Sequence, residues 1–296
     1  MSNKFVVGAD VGGTAVKWIA GTDPATPEFS GEIPTCPNNI EATFQSLVDV
    51  VRSETDRTVD LFGLACAGVF DPVTSILCGS PNLPGWQGKN IQQFAESAFP
   101  GAAVTVTNDV NAALVGEWMF GAGRGYDNLA MIALGTGVGG ALIVNGQLIS
   151  GSYNGAGEFG HMVIERNGLE CACGSKGCLE AYTGARGIVQ RSNSDLTVAD
   201  LFKKADAGDK EAIDLFRETG EYLAIGVGNL INIINPDLVI IGGGVARAGD
   251  LILKPCIQDV SKYILASIKP EDVVVPAKLG VNAAAIGVAV MARGNS

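Results

Sequence analysis

Two stretches of this chain carry the same apolar pattern. Lys4–Ala9 reads as a strand buried on both faces, followed by the polar turn Asp10-Val11-Gly12-Gly13-Thr14 and a second apolar strand, Ala15–Gly21. Asn128–Leu134 repeats the form: a buried run, then Gly135-Thr136-Gly137-Val138-Gly139-Gly140, then Ala141–Gly146. Strand, glycine turn with a threonine, strand therefore occurs twice. This is the pattern of a duplicated α/β unit, each copy opened by a β-hairpin.

Between the hairpins the period changes. Ile40–Arg52 repeats its apolar positions at helical spacing, Leu61–Ala65 is a buried strand, and Val104–Thr107 is a strand running into a helix over 108–119. Further on, the pattern predicts helices over Leu179–Arg191, Val198–Ala207 and Lys210–Ile234, the last stopped by Pro236. Leu238–Ile241 is a buried strand that ends in Gly242-Gly243-Gly244, and Ala283–Arg293 is a small-residue helix. No Ser- or Pro-rich linker interrupts the chain, so the two halves are expected to share a cleft.

Composition narrows the class. The chain has 296 residues, 47% of them hydrophobic, enough to bury a sizeable core. The formal net charge of −11 argues against nucleic-acid and anionic-membrane partners, which require a basic surface. No apolar run reaches the roughly 20 residues of a bilayer span. The amino terminus enters a strand at once and does not resemble a signal peptide. With Cys36, Cys66, Cys78 and Cys256 scattered in mostly apolar contexts, the expectation is a reduced, cytoplasmic protein.

The strongest chemical signal lies between Gly155 and Glu180. His161 is the only histidine, and Cys171, Cys173 and Cys178 follow it with Gly174 and Gly177 between them. One imidazole and three thiolates make the soft tetrahedral set that structural zinc prefers. Glu158 and Glu180 bracket the cluster, placing carboxylates for a polar ligand beside it.

The glycine turns are a second signal. Gly135–Gly140 satisfies G-x-G-x-x-G by letter, but a dinucleotide fingerprint must open a helix, and here a strand follows. The turn can instead cup a phosphate with its backbone N–H groups and the Thr136 hydroxyl. Asp10, Gly12, Gly13 and Thr14 offer a similar cup, with Asp10 placed for Mg²⁺ and Lys17 nearby. Two such turns and the glycines ending the strand at Ile241 point to a nucleotide. Asn108-Asp109 sits where a strand passes into a helix. Asp109 reads either as the helix cap or as a base at the carboxyl end of a strand, and the cap is the commoner use.

Together, the segments GADVGGTAVK (8–17), SPNLPGW (80–86), TNDVNAA (107–113), 134–161, CACGSKGCLE (171–180) and INPDLVIIGGG (234–244) resemble the ROK family of sugar kinases and repressors. The resemblance implies a two-lobed, actin-like and ribonuclease H-like ATPase fold, with duplicated α/β domains around a cleft. It implies a small α/β domain over 1–109, to which the terminal helix 283–296 returns, and a large one over 110–282 with the zinc loop. It implies an ATP-dependent hexokinase with Asp109 as base. Gly68, Asn82, Asn108, Glu158, His161 and Glu180 would hold the hexose. Asp10, Gly12, Gly13, Thr14, Lys17, Thr136 and Gly137 would meet the phosphates and Mg²⁺, and Gly243 and Gly244 would flank the nucleoside. SPNLPGW resembles the family's glucokinases more than its N-acylated-sugar kinases, which implies glucose at its 6-hydroxyl, with fructose, mannose, allose and N-acetylhexosamines open. Family resemblance also implies a homodimer.

Three other readings explain less. A sugar-responsive repressor is disfavoured by the acidic charge and by a first strand at residue 4, which leaves no room for a preceding DNA-binding domain. A polyphosphate-dependent kinase would want a basic groove, and no Lys/Arg run exists. A zinc-storage protein leaves both glycine turns and Asp109 unexplained.

Overall fold

The structure, a computed structural model, describes residues 4–80, 82–265 and 268–294; Pro81 of SPNLPGW and the last two residues of the expected 283–296 helix lie outside them. In chain order the elements are β1 (Val6–Val11), β2 (Ala15–Gly21), β3 (Phe29–Pro34), α1 (Ile40–Glu54), β4 (Leu61–Cys66), β5 (Val69–Phe70), β6 (Leu77–Gly79), α2 (Ile91–Ala98), β7 (Ala103–Asn108) and α3 (Asp109–Phe120). The second half continues with β8 (Leu129–Leu134), β9 (Val138–Val144), β10 (Gln147–Leu148), α4 (Glu180–Thr183), α5 (Ala185–Arg191), α6 (Val198–Asp206), α7 (Lys210–Ile234), β11 (Leu238–Gly242), α8 (Asp250–Val260), α9 (Pro270–Val273), β12 (Val274–Pro276) and α10 (Ala283–Gly294).

The chain forms two compact units. The first holds residues up to Arg124, Ser150–Ala156 and the chain from Leu279 onward; the second holds Gly125–Ile149 and Gly157–Lys278. Their sheets have the same build. In the first the strand order is β3-β2-β1-β4-β7, and in the second β10-β9-β8-β11-β12. In each, the opening strand pairs antiparallel with the next and parallel with the fourth, so the hairpin repeat read from the sequence is a repeat of topology.

In the first unit alternate residues of β1 serve opposite faces, as strand geometry dictates. Val7, Ala9 and Val11 join Phe44, Leu47, Phe62, Leu64 and Trp86 in the core under α1 and α2, while Val6 packs with Ile19, Leu61, Ala285 and Ala289. The α10 face is made of small residues because backbones meet there. A side chain at Gly8 would overlap the carbonyl of Ala285, and one at Gly287 the carbonyl of Ala112. Gly116 meets Ala283 in the same way, so α3 packs against α10 within the first unit. The division consequently falls after Arg124 rather than after Asp109, and the short segment Ser150–Ala156 also belongs to the first unit.

In the second unit, Ile132, Val239 and Ile241 from the sheet pack with Phe216, Leu223, Val227 and Leu230 of α7 and with Ile252, Cys256 and Val260 of α8. The Asp209 carboxylate caps α7 by accepting from Ala212 N at 3.0 Å, and Asn235 ends it in the left-handed region at φ 48°. The helix expected over Leu179–Arg191 is broken. Gly184 is extended (φ −75°, ψ 156°), splitting it into α4 and α5.

Candidate active site

In the first unit, three parallel strands end side by side, with Val11, Cys66 and Asn108 in register on β1, β4 and β7. Open α/β sheets bind ligands beyond such carboxyl ends. The turn after β1 is held from below: Thr35 donates from Oγ1 to Gly12 O at 2.8 Å, and its N–H donates to Thr14 O at 2.9 Å. Gly13 abuts Asn82, where a side chain would stand 2.7 Å from Asn82 Cβ, so this turn and the SPNLPGW segment are in contact.

Asp10 sits one residue before the end of β1, opposite Lys17 of β2. Burial pushes its carboxyl up to about 7; the Asp109 charge adds to the rise and Lys17 opposes it. Cys66 is buried beside the same pair, and burial, then Asp109, then Asp10, push its thiol well up.

The two readings of Asp109 separate in the structure. The cap of α3 is Asn108, whose Oδ1 accepts from Val110 N at 2.8 Å and from Asn111 N at 3.2 Å. Asn108 also donates through Nδ2 to Gly68 O at 3.2 Å. Asp109 is the first helical residue, and its carboxylate enters the electrostatics of Asp10 and Cys66.

In the second unit the β8–β9 turn closes tightly, Gly135 N donating to Gly137 O at 2.9 Å. Beside it β11 ends in Gly242, paired with Ala133. Gly243 follows at φ +90°, where a side chain would overlap the carbonyl of Leu134, so only glycine fits. The first residues of α5 fasten the turn: Ala185 N donates to Gly135 O at 2.9 Å and Arg186 N to Thr136 O at 3.4 Å. Gly184 breaks the helix where it meets Gly137, a side chain there standing 3.3 Å from Gly137 Cα. Along α5 and the start of α6 runs an open, mainly apolar groove of about 550 Å³, with Arg186, Gln190, Asp195 and Thr197 as its polar members. The sequence reading missed it, because the helical period over Leu179–Arg191 concealed the break at Gly184.

The cysteine loop folds as the spacing required. Cys171 Sγ lies 3.8 Å from His161 Nδ1 and Cys173 Sγ 3.7 Å from Cys178 Sγ, and all four ligand atoms fall within 4.8 Å of one another. Zinc–sulfur bonds of about 2.3 Å at tetrahedral angles place two sulfurs about 3.8 Å apart, so the donor set fits zinc. It does not fit a disulfide, whose sulfurs stand about 2 Å apart. With Nδ1 turned to the sulfurs, Nε2 is the outward nitrogen, 3.9 Å from Glu158 Oε2. The turn carrying Glu158 and His161 rests on β9, since side chains at Gly140 or Gly160 would overlap Phe159 or the carbonyl of Val138. Glu180 bridges to the other turn, its Oε2 accepting from Val138 N at 2.8 Å.

The expected residues therefore gather as two groups. Asp10, Gly12, Gly13, Thr14, Lys17, Gly68, Asn82, Asn108 and Asp109 lie in the first unit; Thr136, Gly137, Glu158, His161, Glu180, Gly243, Gly244 and the cysteines lie in the second. Among the described residues no helix is long and apolar enough to cross a membrane.

The ROK family model matches residues 6–295. A glucokinase of Halalkalibacterium halodurans is 34% identical, the alignment covering 97% of this chain and 94% of that protein. The crystal structure of a ROK hexokinase from Thermus thermophilus superposes with a TM-score of 0.85 at 28% identity, over 98% of both chains. That of a ROK family glucokinase from Streptomyces griseus, in complex with glucose and AMPPNP, does so with a TM-score of 0.83 at 30% identity, over 98% of this chain and 99% of that one. The two-unit α/β fold is that of the ROK sugar kinases, and the chain belongs to the ROK family.

Proposed function

We propose that this sugar kinase transfers the terminal phosphoryl group of ATP to the 6-hydroxyl of glucose, giving glucose 6-phosphate. The observation that carries the reading is Asp109 at the carboxyl end of β7. Asn108 takes the capping duty, and the Asp109 carboxylate lies close enough to Asp10 to raise its pKa. A carboxylate at that strand end can take the proton of an attacking hydroxyl, while most of the catalysis comes from alignment and charge neutralisation.

The remaining roles follow the chemistry of each group. Asn108, Glu158, His161 and Glu180 present amide, carboxylate and imidazole atoms that pair with hexose hydroxyls, and Asn82 and Gly68 complete the sugar contacts. A site that pairs every hydroxyl rejects analogues that leave a buried polar group unpaired. The N–H groups of Gly13 and Gly137, the hydroxyls of Thr14 and Thr136, and Lys17 meet the phosphates, while Gly12, whose own N–H donates to Ala15 O at 3.0 Å, shapes the first turn for them. Gly243 and Gly244 flank the nucleoside, and the apolar groove along α5 gives its base a surface. Mg²⁺, held near Asp10, supplies charge neutralisation on the donor phosphates. Zinc on His161 and the three cysteines supplies structural bracing; with Nδ1 committed, His161 keeps its proton on Nε2 and donates there.

The glucokinase names of relatives at about this level of identity and the glucose-bound structure support glucose as acceptor. A cytoplasmic location is supported by the unpaired Cys36, Cys66, Cys78 and Cys256, and a homodimer by family resemblance alone. The test is MgATP-dependent ADP release with glucose, fructose, mannose, allose, N-acetylglucosamine and N-acetylmannosamine. The highest kcat/KM is expected on glucose. Preference for another hexose would keep the chemistry and change the substrate, and no release with any sugar from zinc-loaded protein would overturn the kinase reading.

A further inference from the structure

The residue that follows the last cysteine ligand by two positions does more than face a sugar. Glu180 opens α4, and its two oxygens point to different structures. Oε1 lies 3.6 Å from Cys171 Sγ, while Oε2 accepts from Val138 N at 2.8 Å. Gly137 has no side chain to spare there, because a Cβ on it would overlap Glu180 Oε2. The segment beyond Glu180 then holds the rest of the same turn, through Ala185 N on Gly135 O and Arg186 N on Thr136 O.

Both ends of α4 are anchored to the cysteine loop as well. Leu179 N donates to Met162 O at 2.9 Å, beside His161. Tyr182 Oη accepts from Leu169 N at 2.9 Å, two residues before Cys171, and the Tyr182 ring lies on Tyr222 of α7 with centroids 4.2 Å apart. Arg191, at the end of α5, donates to the Tyr182 carbonyl at 2.9 Å. The short helix is thus clamped to the cysteine loop on one side and to the β8–β9 turn on the other.

We propose that Glu180 is a positioning residue that ties the zinc loop to the Gly135–Val138 turn, so that metal occupancy sets nucleotide affinity as well as sugar affinity. This rests on reading that turn as the nucleotide site. An unbraced loop lets α4 shift, Val138 N–H loses its charged acceptor, and the N–H groups that cup the phosphate lose their aim.

The experiment is calorimetric titration of MgADP, with no sugar present, into five forms of the full chain: zinc-loaded parent, zinc-stripped parent, zinc-loaded Glu180→Ala, zinc-stripped Glu180→Ala and zinc-loaded Glu180→Gln. Stripping zinc and Glu180→Ala are each expected to weaken MgADP roughly tenfold, and stripping the alanine variant should add little. Glu180→Gln should stay within about twofold of the parent, since its amide oxygen can still accept from Val138 N–H. Where stripping unfolds the chain, seen by circular dichroism, the zinc-loaded alanine and glutamine variants decide alone. Equal MgADP affinity in the parent and the alanine variant overturns the coupling, as does a glutamine variant as weak as alanine. A zinc-loaded parent that binds no MgADP overturns the nucleotide reading itself, a separate result.

Discussion

Replacing Asp10 by asparagine is expected to remove activity and to stabilise the protein. The carboxyl ordinarily titrates near 3.8 and in the fold is pushed up to about 7, mainly by burial and then by Asp109. Below pH 4 the residue is protonated in both folded and unfolded chains and contributes nothing. Between pH 4 and 7 the unfolded chain releases the proton freely while the folded one retains it, so stability is lost as pH rises through that window. The full shift of about three units corresponds to a ceiling near 4 kcal/mol at about 1.4 kcal/mol per unit. Water and the Lys17 ammonium screen a carboxyl near the end of a strand, and half of the ceiling, about 2 kcal/mol, is the expected gain at pH 8. At pH 5 about a third of that gain should vanish, and at pH 4 about three quarters of it. Urea unfolding followed by tryptophan fluorescence, without Mg²⁺ or nucleotide, reads this locally, because Trp18, Trp86 and Trp118 all belong to the first unit. A slope of about 2 kcal/mol per molar urea turns the gain into a midpoint shift of about 1 M. A variant midpoint equal to the parent's at pH 8, or a gap identical at pH 5 and pH 8, would refute the reasoning, for Asp10 would then ionise as an ordinary surface aspartate does.

Asp109→Asn should lower kcat by about a hundredfold or more with zinc content and urea midpoint unchanged, since it removes a base and leaves the Asn108 cap in place; retained turnover would assign Asp109 to structure. Cys178→Ser should reduce bound zinc, measured by plasma mass spectrometry, from about one per chain to a small fraction, because three ligands hold a structural ion poorly. Glu117→Gln should cost about 2–4 kcal/mol in urea unfolding: Glu117 is fully buried, its oxygens accept from Ala122 N at 2.8 Å and Leu279 N at 2.7 Å, and an amide must aim its NH₂ at one of those donors. Gly243→Ala should lower thermal stability by about 2 kcal/mol in circular dichroism and weaken MgADP binding, as its φ of +90° and the overlap with Leu134 O leave no room for a methyl.

What could be read from the sequence was what local pattern determines. The β1–β2 and β8–β9 hairpins, the long α7 and the cysteine cluster are written in contiguous residues, and the structure has them where the periods and spacings put them. What escaped depends on partners distant in sequence. Gly184 interrupts a helical period because α5 must reach back to Gly135 and Thr136, and nothing within Leu179–Arg191 announces that contact. In sequence alone the cap of α3 falls to Asp109 as its commoner use; in the structure the cap is Asn108, which also reaches Gly68 O across forty positions. A proline inside a helix removes a backbone donor, yet α8 runs through Pro255 and buries Ile252, Leu253, Cys256 and Val260 against α7. The three-residue β12 exists only because β11 offers it a parallel edge. The inclusion of α3 and Ser150–Ala156 in the first unit follows from contacts such as Gly116 with Ala283 and Asn154 Nδ2 with Phe70 O, which no window of sequence contains.

The repeated sheet also shows how an acidic chain can be suited to an anionic donor. At matching places in the two hairpins, one unit sets Asp10 opposite Lys17 and the other sets Ala133 opposite Gly139. Under the proposed function the first hairpin would work with charged side chains, and its carboxyl carries a desolvation cost that a divalent cation would offset. The second has no charge on the strand pair. Under the same proposal it would work with backbone N–H groups of a turn that Glu180 and the start of α5 hold. With a formal net charge of −11, long-range attraction cannot gather phosphate, so the donors must be local and fixed before the ligand arrives. Fixed backbone donors need rigid support, and for the Gly135–Val138 turn that support continues directly from the cysteine loop.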